Sequence, residues 1–380
     1  MASNPIFTAA DDAILTERKH LKPATGRRRY ASSSVMNSEI ISSSGFSFGG
    51  SETNFFIIPN FLHSEETFEY LGFGPQKAAE LWSRWESIQE SASEEDKDTI
   101  FEVEFLDLAL GSIPSYVVED SEDDWVIHMQ DWGVGPQLIN AIMSQEFSDV
   151  RRTESASYWV TDTMEIRYAT LERVKEDSEA RAEGITPPSA GIATSTSRPS
   201  NVPGKQILFK AVTTNHLLRD EGGKIRMPGL VSNPPSDFRG VGGALFYFTP
   251  DFEVAKRYKG YIKKRADSAP AVIVCLTLPN AFIEGLPPYI LEFGDLWKQV
   301  VHRSRSSYLL TGDLGHIHRL PLVIAPVSYS HNRAIARLES WQQISTRHVM
   351  HIGENMAKQY VFQGSKTMVE LERLGEIEVV

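Results

Sequence analysis

The chain has 380 residues, 41% hydrophobic and 10% aromatic, enough for two globular units with their own cores. A single cysteine rules out an internal disulfide framework, and with no apolar run near the roughly 20 residues of a helical membrane span and no signal pattern at Met1-Ala-Ser-Asn-Pro5, a soluble protein is expected. The formal charge of −12 is uneven: residues 1–200 hold 16 Lys/Arg and 34 Asp/Glu, residues 201–380 hold 22 and 16, so an acidic half faces a mildly basic one.

Residues 1–50 are polar, with serine clusters at 32–34 and 42–44, and read as a disordered tail. From 51 to 183 the pattern is helical and acidic. Ala78, Leu81, Trp82, Trp85 and Ile88 recur at three- and four-residue spacing and predict one apolar helix face. Ser93-Glu-Glu-Asp96 reads as a helix start, with Ile100, Phe101, Phe105, Leu108 and Ala109 continuing the period to Gly111. A long helix is expected from near Ser155 to Ala182. Trp82, Trp85, Trp125, Trp132 and Trp159 read as core anchors. The acidic runs 94–96 and 119–124 lack the glycine and ligand spacing of a calcium loop and read as solvated surface. No catalytic constellation stands out in this half, which reads as an interaction or regulatory domain.

Residues 184–204 are rich in Pro, Ser, Thr and Gly and predict a linker. Beyond it, 205–380 reads as a second domain. Strands are expected at Ile207–Val212, Leu245–Phe248, Ala271–Leu278, Leu320–Val327 and Lys358–Phe362. Helices are expected at 251–264, around Leu296–Val301 and at Ser365–Leu374. Scattered strands and helices make this an α+β domain. Cys275 falls inside an apolar run and reads as a buried strand residue.

The most informative stretch is Gly240-Val-Gly-Gly-Ala-Leu-Phe-Tyr-Phe-Thr249 with the helix that follows. Gly240, Gly242 and Gly243 allow close approach of a ligand. Thr249 suits an N-cap, Pro250 the first helical position, and Asp251 and Glu253 the first turn. Tyr247 at the strand end and Tyr258 in the helix flank a space that suits a flat ring. On local pattern alone the plainer reading, a strand–turn–helix corner with core aromatics, is preferred.

Three segments of the second half resemble the ADP-ribosyltransferase fold, in its poly(ADP-ribose) polymerase and diphtheria-toxin branch. Leu208-Phe-Lys-Ala211 resembles the opening strand. Phe246-Tyr-Phe-Thr249 with Ala255 and Tyr258 resembles the central motif, and the preceding Asp237-Phe-Arg-Gly240 and Gly242-Gly243 resemble small domains of the same fold. Leu322–Val327 and Lys358–Phe362 resemble the late strands. The whole chain, helical half included, resembles a group of fungal proteins. The resemblance covers about 206–374 and implies a split β-sheet domain with NAD as substrate, no metal, and a protein acceptor or water receiving the ADP-ribosyl group. It implies that Lys210 stands where the family has a ribose-contacting His or Arg and that the Ala211 backbone pairs with the nicotinamide amide. Gly242, Gly243 and Thr249 join the binding site, and Tyr247 and Tyr258 pack around the ring. Gln359 takes the place of the glutamate that binds the reacting ribose; Glu354 and Glu370 are the neighbouring carboxylates. Lysine and glutamine at those two places favour a catalytically silent scaffold as the alternative.

His316/His318 and His348/His351 lack further ligands at metal spacing and read as loop or surface residues. The basic set Lys256, Arg257, Lys259, Lys263, Lys264 and Arg265 reads as the solvated face of a helix. No nucleic-acid signature accompanies it, so nucleic acid is not an expected partner. A soluble intracellular protein, cytoplasmic or nuclear, is expected. The charge asymmetry permits contact between the acidic helical domain and the basic one.

Overall fold

A computed structural model of the chain describes residues 4–39, 54–91, 104–114, 122–187, 189, 202–220, 222–232, 237–238, 244–286, 288–306 and 310–380. Ser93-Glu-Glu-Asp96 and Gly240, Gly242 and Gly243 lie outside these residues, as does most of the linker expected over 184–204.

The first half begins with α1 (Ala9–Glu17), β1 (Leu21–Pro23), β2 (Arg28–Ser32), α2 (Ser33–Met36) and β3 (Phe55–Pro59), the strands forming an antiparallel sheet. Helices α3 (Glu65–Leu71), α4 (Pro75–Ser91), α5 (Phe105–Gly111), α6 (Glu122–Asp131), α7 (Pro136–Ile142) and α8 (Ser148–Arg151) follow, before the long α9 (Ala156–Ala182). The stripe expected on α4 is its core face: Ala78, Leu81 and Trp85 are buried. Ser155 caps α9 by accepting the Tyr158 amide at 3.1 Å. Since α9 packs on α1, α2, α3, α5, α6 and α7, it is buried around most of its circumference.

The disordered tail expected over 1–50 is corrected for residues 4–39, which are folded. Ile6, Leu15, Leu21, Ala31, Val35 and Met36 are buried. The few apolar residues of this polar segment fall where they meet β3 and α9. Asp11 on α1 and Arg181 on α9 form a fully buried ion pair, Nη2 to Oδ2 at 2.8 Å.

The second half runs β4 (Lys205–Thr213), β5 (Leu245–Phe248), α10 (Phe252–Arg265), β6 (Ala271–Pro279), α11 (Asn280–Gly285), β7 (Tyr289–Ile290) and α12 (Asp295–Arg305). Then come β8 (Leu322–Pro326), α13 (Asn332–Ala336), β9 (His351–Ile352), β10 (Asn355–Met356), β11 (Lys358–Gln363), α14 (Ser365–Leu374) and β12 (Glu376–Val379). The chain is thus mixed α and β. Its second half holds a four-stranded sheet, β5-β11-β8-β7, and a three-stranded antiparallel sheet, β12-β6-β4. Leu208 and Val212 of β4, Val274 and Leu276 of β6, Phe246 and Phe248 of β5 and Phe362 of β11 fill one core that joins the two sheets. The opposite face of the larger sheet packs Val323 and Val361 against Trp297, Val300 and Val301 of α12. Cys275 is buried in β6, its thiol pushed up to about 11 by burial.

The core of the helical half continues into the second half, taking in Val254 and Tyr261 of α10, Met350 and Ala357. Two ion pairs tie the same surfaces, Arg257 to Asp149 at 2.7 Å and Arg265 to Asp162 at 2.8 Å. The basic set on α10 is therefore only partly a solvated face: Arg265 is buried, its guanidinium over the rings of Trp159 and Tyr261 at 4.7 and 4.6 Å. Among the described residues no helix is long and apolar enough to cross a membrane.

Candidate functional site

Strands β4 and β5 touch at one point. Phe209 and Thr249 exchange backbone hydrogen bonds of 2.7 and 2.9 Å, while the strands themselves belong to different sheets. Two sheets joined at a single bridge leave a wedge beside it, and the residues around the bridge line a cavity of about 290 Å³. Lys210 and Ala211 reach it from β4, Tyr247 from β5, Thr249 from the end of that strand, Tyr258 from α10 and Gln359 from β11.

Alternation sets these directions. Phe246 and Phe248 enter the core between the sheets, so Tyr247 turns to the opposite face. Tyr360 pairs with Phe248, so Gln359 falls beside Thr249. Asp251, not Thr249, caps α10: its Oδ1 accepts the Glu253 amide at 2.9 Å, while Thr249 Oγ1 accepts the Asp251 amide at 3.1 Å. Gly242 and Gly243 lie outside the described residues.

The deepest polar cluster contains residues without an assigned role in the sequence reading. Asp237 and Arg305 are both buried and pair at 2.6 Å. The Asp237 carboxylate also accepts the Ser328 amide at 3.0 Å and Gln359 Nε2 at 2.7 Å. Gln359 Nε2 donates as well to the Pro326 carbonyl at 3.0 Å. Both partners are acceptors, which fixes the amide orientation and leaves Oε1 as the acceptor for a ligand. Arg305 Nη1 donates to the carbonyls of Thr153 (3.0 Å) and Ser330, so a second-half arginine holds the chain just before α9. Burial opposes the charge of Arg305, but Asp237 and then Glu154 outweigh it and raise its pKa.

The helical half supplies one wall: Thr153, Glu154, Tyr158, Trp159, Asp162 and Ile166. Tyr258 donates its hydroxyl to Thr153 Oγ1 at 3.4 Å, and the Phe238 amide donates to the Tyr247 hydroxyl at 3.3 Å. Burial pushes the Tyr258 phenol up to about 12 and that of Tyr247 well above its ordinary value, with carboxylates at Glu154 and Asp237 acting in the same direction on both. Both tyrosines stay neutral at physiological pH.

Lys210 is the contrasting charge. Its Nζ donates to Ser232 Oγ at 2.5 Å and to the Tyr247 carbonyl at 3.5 Å, and lies 5.9 Å from the Phe248 ring centroid. Burial pushes its ammonium down to about 8. The cavity therefore pairs a poorly solvated ammonium with two neutral phenols and the carboxylates of Asp237 and Glu154. The other carboxylates considered from sequence lie elsewhere. Glu354 is exposed between β9 and β10, and Glu370 pairs with Arg373 at 2.6 Å on the surface of α14.

Among the described residues no group of three or more His, Cys, Asp or Glu side chains is placed to hold a metal ion. Asp237 carried a sequence signal, the motif before the glycines. Arg305 and Glu154 carried none, being one arginine in a basic half and one glutamate in an acidic half. Compared with known proteins, the chain matches no family model, no curated protein and no solved structure.

Proposed function

We propose that the chain binds NAD in this cavity and breaks its nicotinamide–ribose bond, passing the ADP-ribosyl group to water or to a protein acceptor. The observation that carries the reading is convergence: Lys210, Ala211, Tyr247, Thr249, Tyr258 and Gln359 come from separate segments and line one cavity. Its volume of about 290 Å³ is near the lower end for small-molecule pockets, roughly 300–1,000 Å³. That suits a pyridine ring with its ribose, and the rest of the dinucleotide needs further space.

In this reading Tyr247 and Tyr258 flank the nicotinamide and the Ala211 backbone meets its amide. Lys210 pairs with a ribose hydroxyl or the pyrophosphate, and Thr249 and Gln359 Oε1 hold ribose hydroxyls. The C–N bond breaks with its electron pair leaving on the pyridine nitrogen, which discharges the pyridinium. Positive charge develops on the ribose, as in glycoside cleavage. A nucleophile, water or a side chain of the acceptor, closes the new bond and its proton goes to solvent. A glutamine supplies no net charge to that cation, and losing one aimed electrostatic group typically slows a reaction about 10²–10³-fold. Asp237 pairs directly with Arg305, and Glu154 acts on the same guanidinium. Glu154 is the second carboxylate near both tyrosines, and we assign it the stabilising charge.

The alternative is a silent scaffold in which the cavity is a by-product of docking the two halves. The wall of α9 side chains across the cavity favours it. Nicotinamide release by the full-length chain separates the readings. Release that is lost in Tyr247→Ala supports the enzyme; absence of both release and NAD binding supports the scaffold.

A further inference from the structure

The lining of the cavity is graded in depth. His216 is exposed, Lys210 and Ser232 are half-buried, and Gln359, Arg305 and Asp237 are 6, 3 and 2% exposed. Contacts give the order: His216 is within electrostatic reach of Lys210, and Lys210 donates to the Tyr247 carbonyl at 3.5 Å. The Tyr247 hydroxyl accepts the amide of Phe238, next to Asp237. The groups assigned to the reacting ribose, Thr249 and Gln359, are thus at the buried end. With about 290 Å³ for the ring and that ribose, the pyrophosphate passes Lys210 and the adenosine lies toward His216. A bound dinucleotide then fills the passage by which it entered.

Among the described residues, the helical half covers the buried end. Arg305, paired with Asp237 at 2.6 Å, donates Nη1 to the Thr153 carbonyl at 3.0 Å. Tyr258 donates its hydroxyl to Thr153 Oγ1 at 3.4 Å. The segment just before α9 is therefore fastened to both flanks of the site, and Thr153 and Glu154 are themselves buried. Trp159 follows on α9, edge-on to Tyr261 of α10 with ring centroids 5.0 Å apart, in a core shared by the two halves. Displacing this wall would expose that core to water, so it is a fixed boundary and not a lid.

We infer that the acceptor is water, so that the chain is an NAD hydrolase releasing free ADP-ribose; this rests on the reading that NAD is cleaved in the cavity. The dinucleotide blocks the exposed end and the wall of Thr153, Glu154 and Trp159 blocks the buried one, so no side chain of a second protein reaches the ribose carbon. A water needs only about 30 Å³. In the step itself the carbon–nitrogen bond breaks with its electron pair on the nicotinamide nitrogen. The water oxygen bonds to the same ribose carbon, and its surplus proton leaves to solvent.

The test uses the full-length wild-type chain and NAD labelled in its adenylate phosphate, with an unfolded carrier protein present as a macromolecular acceptor. Chromatography measures nicotinamide and free ADP-ribose, and acid precipitation measures label on protein. Nicotinamide and free ADP-ribose in equal amounts, with no label on the carrier or on the chain, support the inference. A second measurement ties the outcome to the wall: methanol and benzyl alcohol compete with water at equal concentration. Methanol is small enough to follow water, whereas benzyl alcohol is as bulky as the nicotinamide ring, so the methyl riboside is expected to exceed the benzyl riboside by about tenfold or more. Nicotinamide release with the label on protein, or equal capture of the two alcohols, overturns the inference and leaves NAD cleavage standing. No nicotinamide release at all overturns the cleavage reading and the inference with it.

Discussion

Gln359 holds its amide between the Asp237 carboxylate and the Pro326 carbonyl, both of which need a donor. Gln359→Glu, the change that would install the carboxylate implied by the resemblance, removes that donor and sets a second buried carboxylate against that of Asp237 across a contact now 2.7 Å long. Repulsion raises the new group's pKa above its unfolded value, so the destabilisation is absent in acid and appears as pH rises through the folded pKa. Denaturant unfolding at neutral pH is expected to show a loss of about 3 kcal/mol, shrinking toward pH 4. Equal stability of the two proteins at neutral pH contradicts the assigned hydrogen bonding.

Lys210 sets a second pH dependence at the same scale. Its folded pKa of about 8 lies below the ordinary 10.5. Between those values the unfolded chain binds the extra proton, so stability rises with pH through the window, and below about 8 the buried charge is a constant destabilisation. An anionic ligand favours the charged amine, so NAD affinity is expected to fall as pH rises above about 8. Lys210→Met is expected to bind NAD weakly and without that trend. Calorimetry across the window checks it, and an unchanged affinity for the wild type removes Lys210 from the site. Lys210, Tyr247, Tyr258 and Gln359 were legible because each lies in or beside a recognisable motif. The Asp237–Arg305 pair was not: its partners are 68 residues apart, and a tertiary ion pair leaves no local pattern.

At the scale of elements, the helices with a one-sided apolar stripe and the strands of β-branched and aromatic residues were readable from sequence, α4 and β4 among them. The sheet of β1, β2 and β3 was not. Its strands are short, and Arg28-Arg-Tyr30 and its neighbours carry too little apolar alternation to signal a strand alone. Tertiary contacts compensate: Ser32 caps α2, and Asp11 of α1 pairs with Arg181 inside α9. Removing one partner of a fully buried pair strands the other charge, at about 3–5 kcal/mol. Asp11→Ala is therefore expected to lower the unfolding free energy by that amount. A change below about 1 kcal/mol would mean that α1 is an ornament on the fold.

The whole molecule has a core that crosses between its halves. Tyr261 of α10 sits against Phe147 and Trp159 of the helical half and donates its hydroxyl to the Ile142 carbonyl at 3.0 Å. Net charge showed that the halves differ in sign. Charge totals carry no geometry, so they did not show that α9 would form a wall of the cavity. The consequence for the chemistry is that the second half alone lacks Glu154, and the reaction is expected of the full-length chain only. The most direct measurement is nicotinamide release from NAD by that chain, with calorimetric NAD binding measured in parallel for wild type, Tyr247→Ala and Glu154→Gln. The account predicts release by the wild type, loss of binding and release in Tyr247→Ala, and retained binding with release slowed about 10²–10³-fold in Glu154→Gln. A full-length chain that binds no NAD and releases no nicotinamide would contradict it.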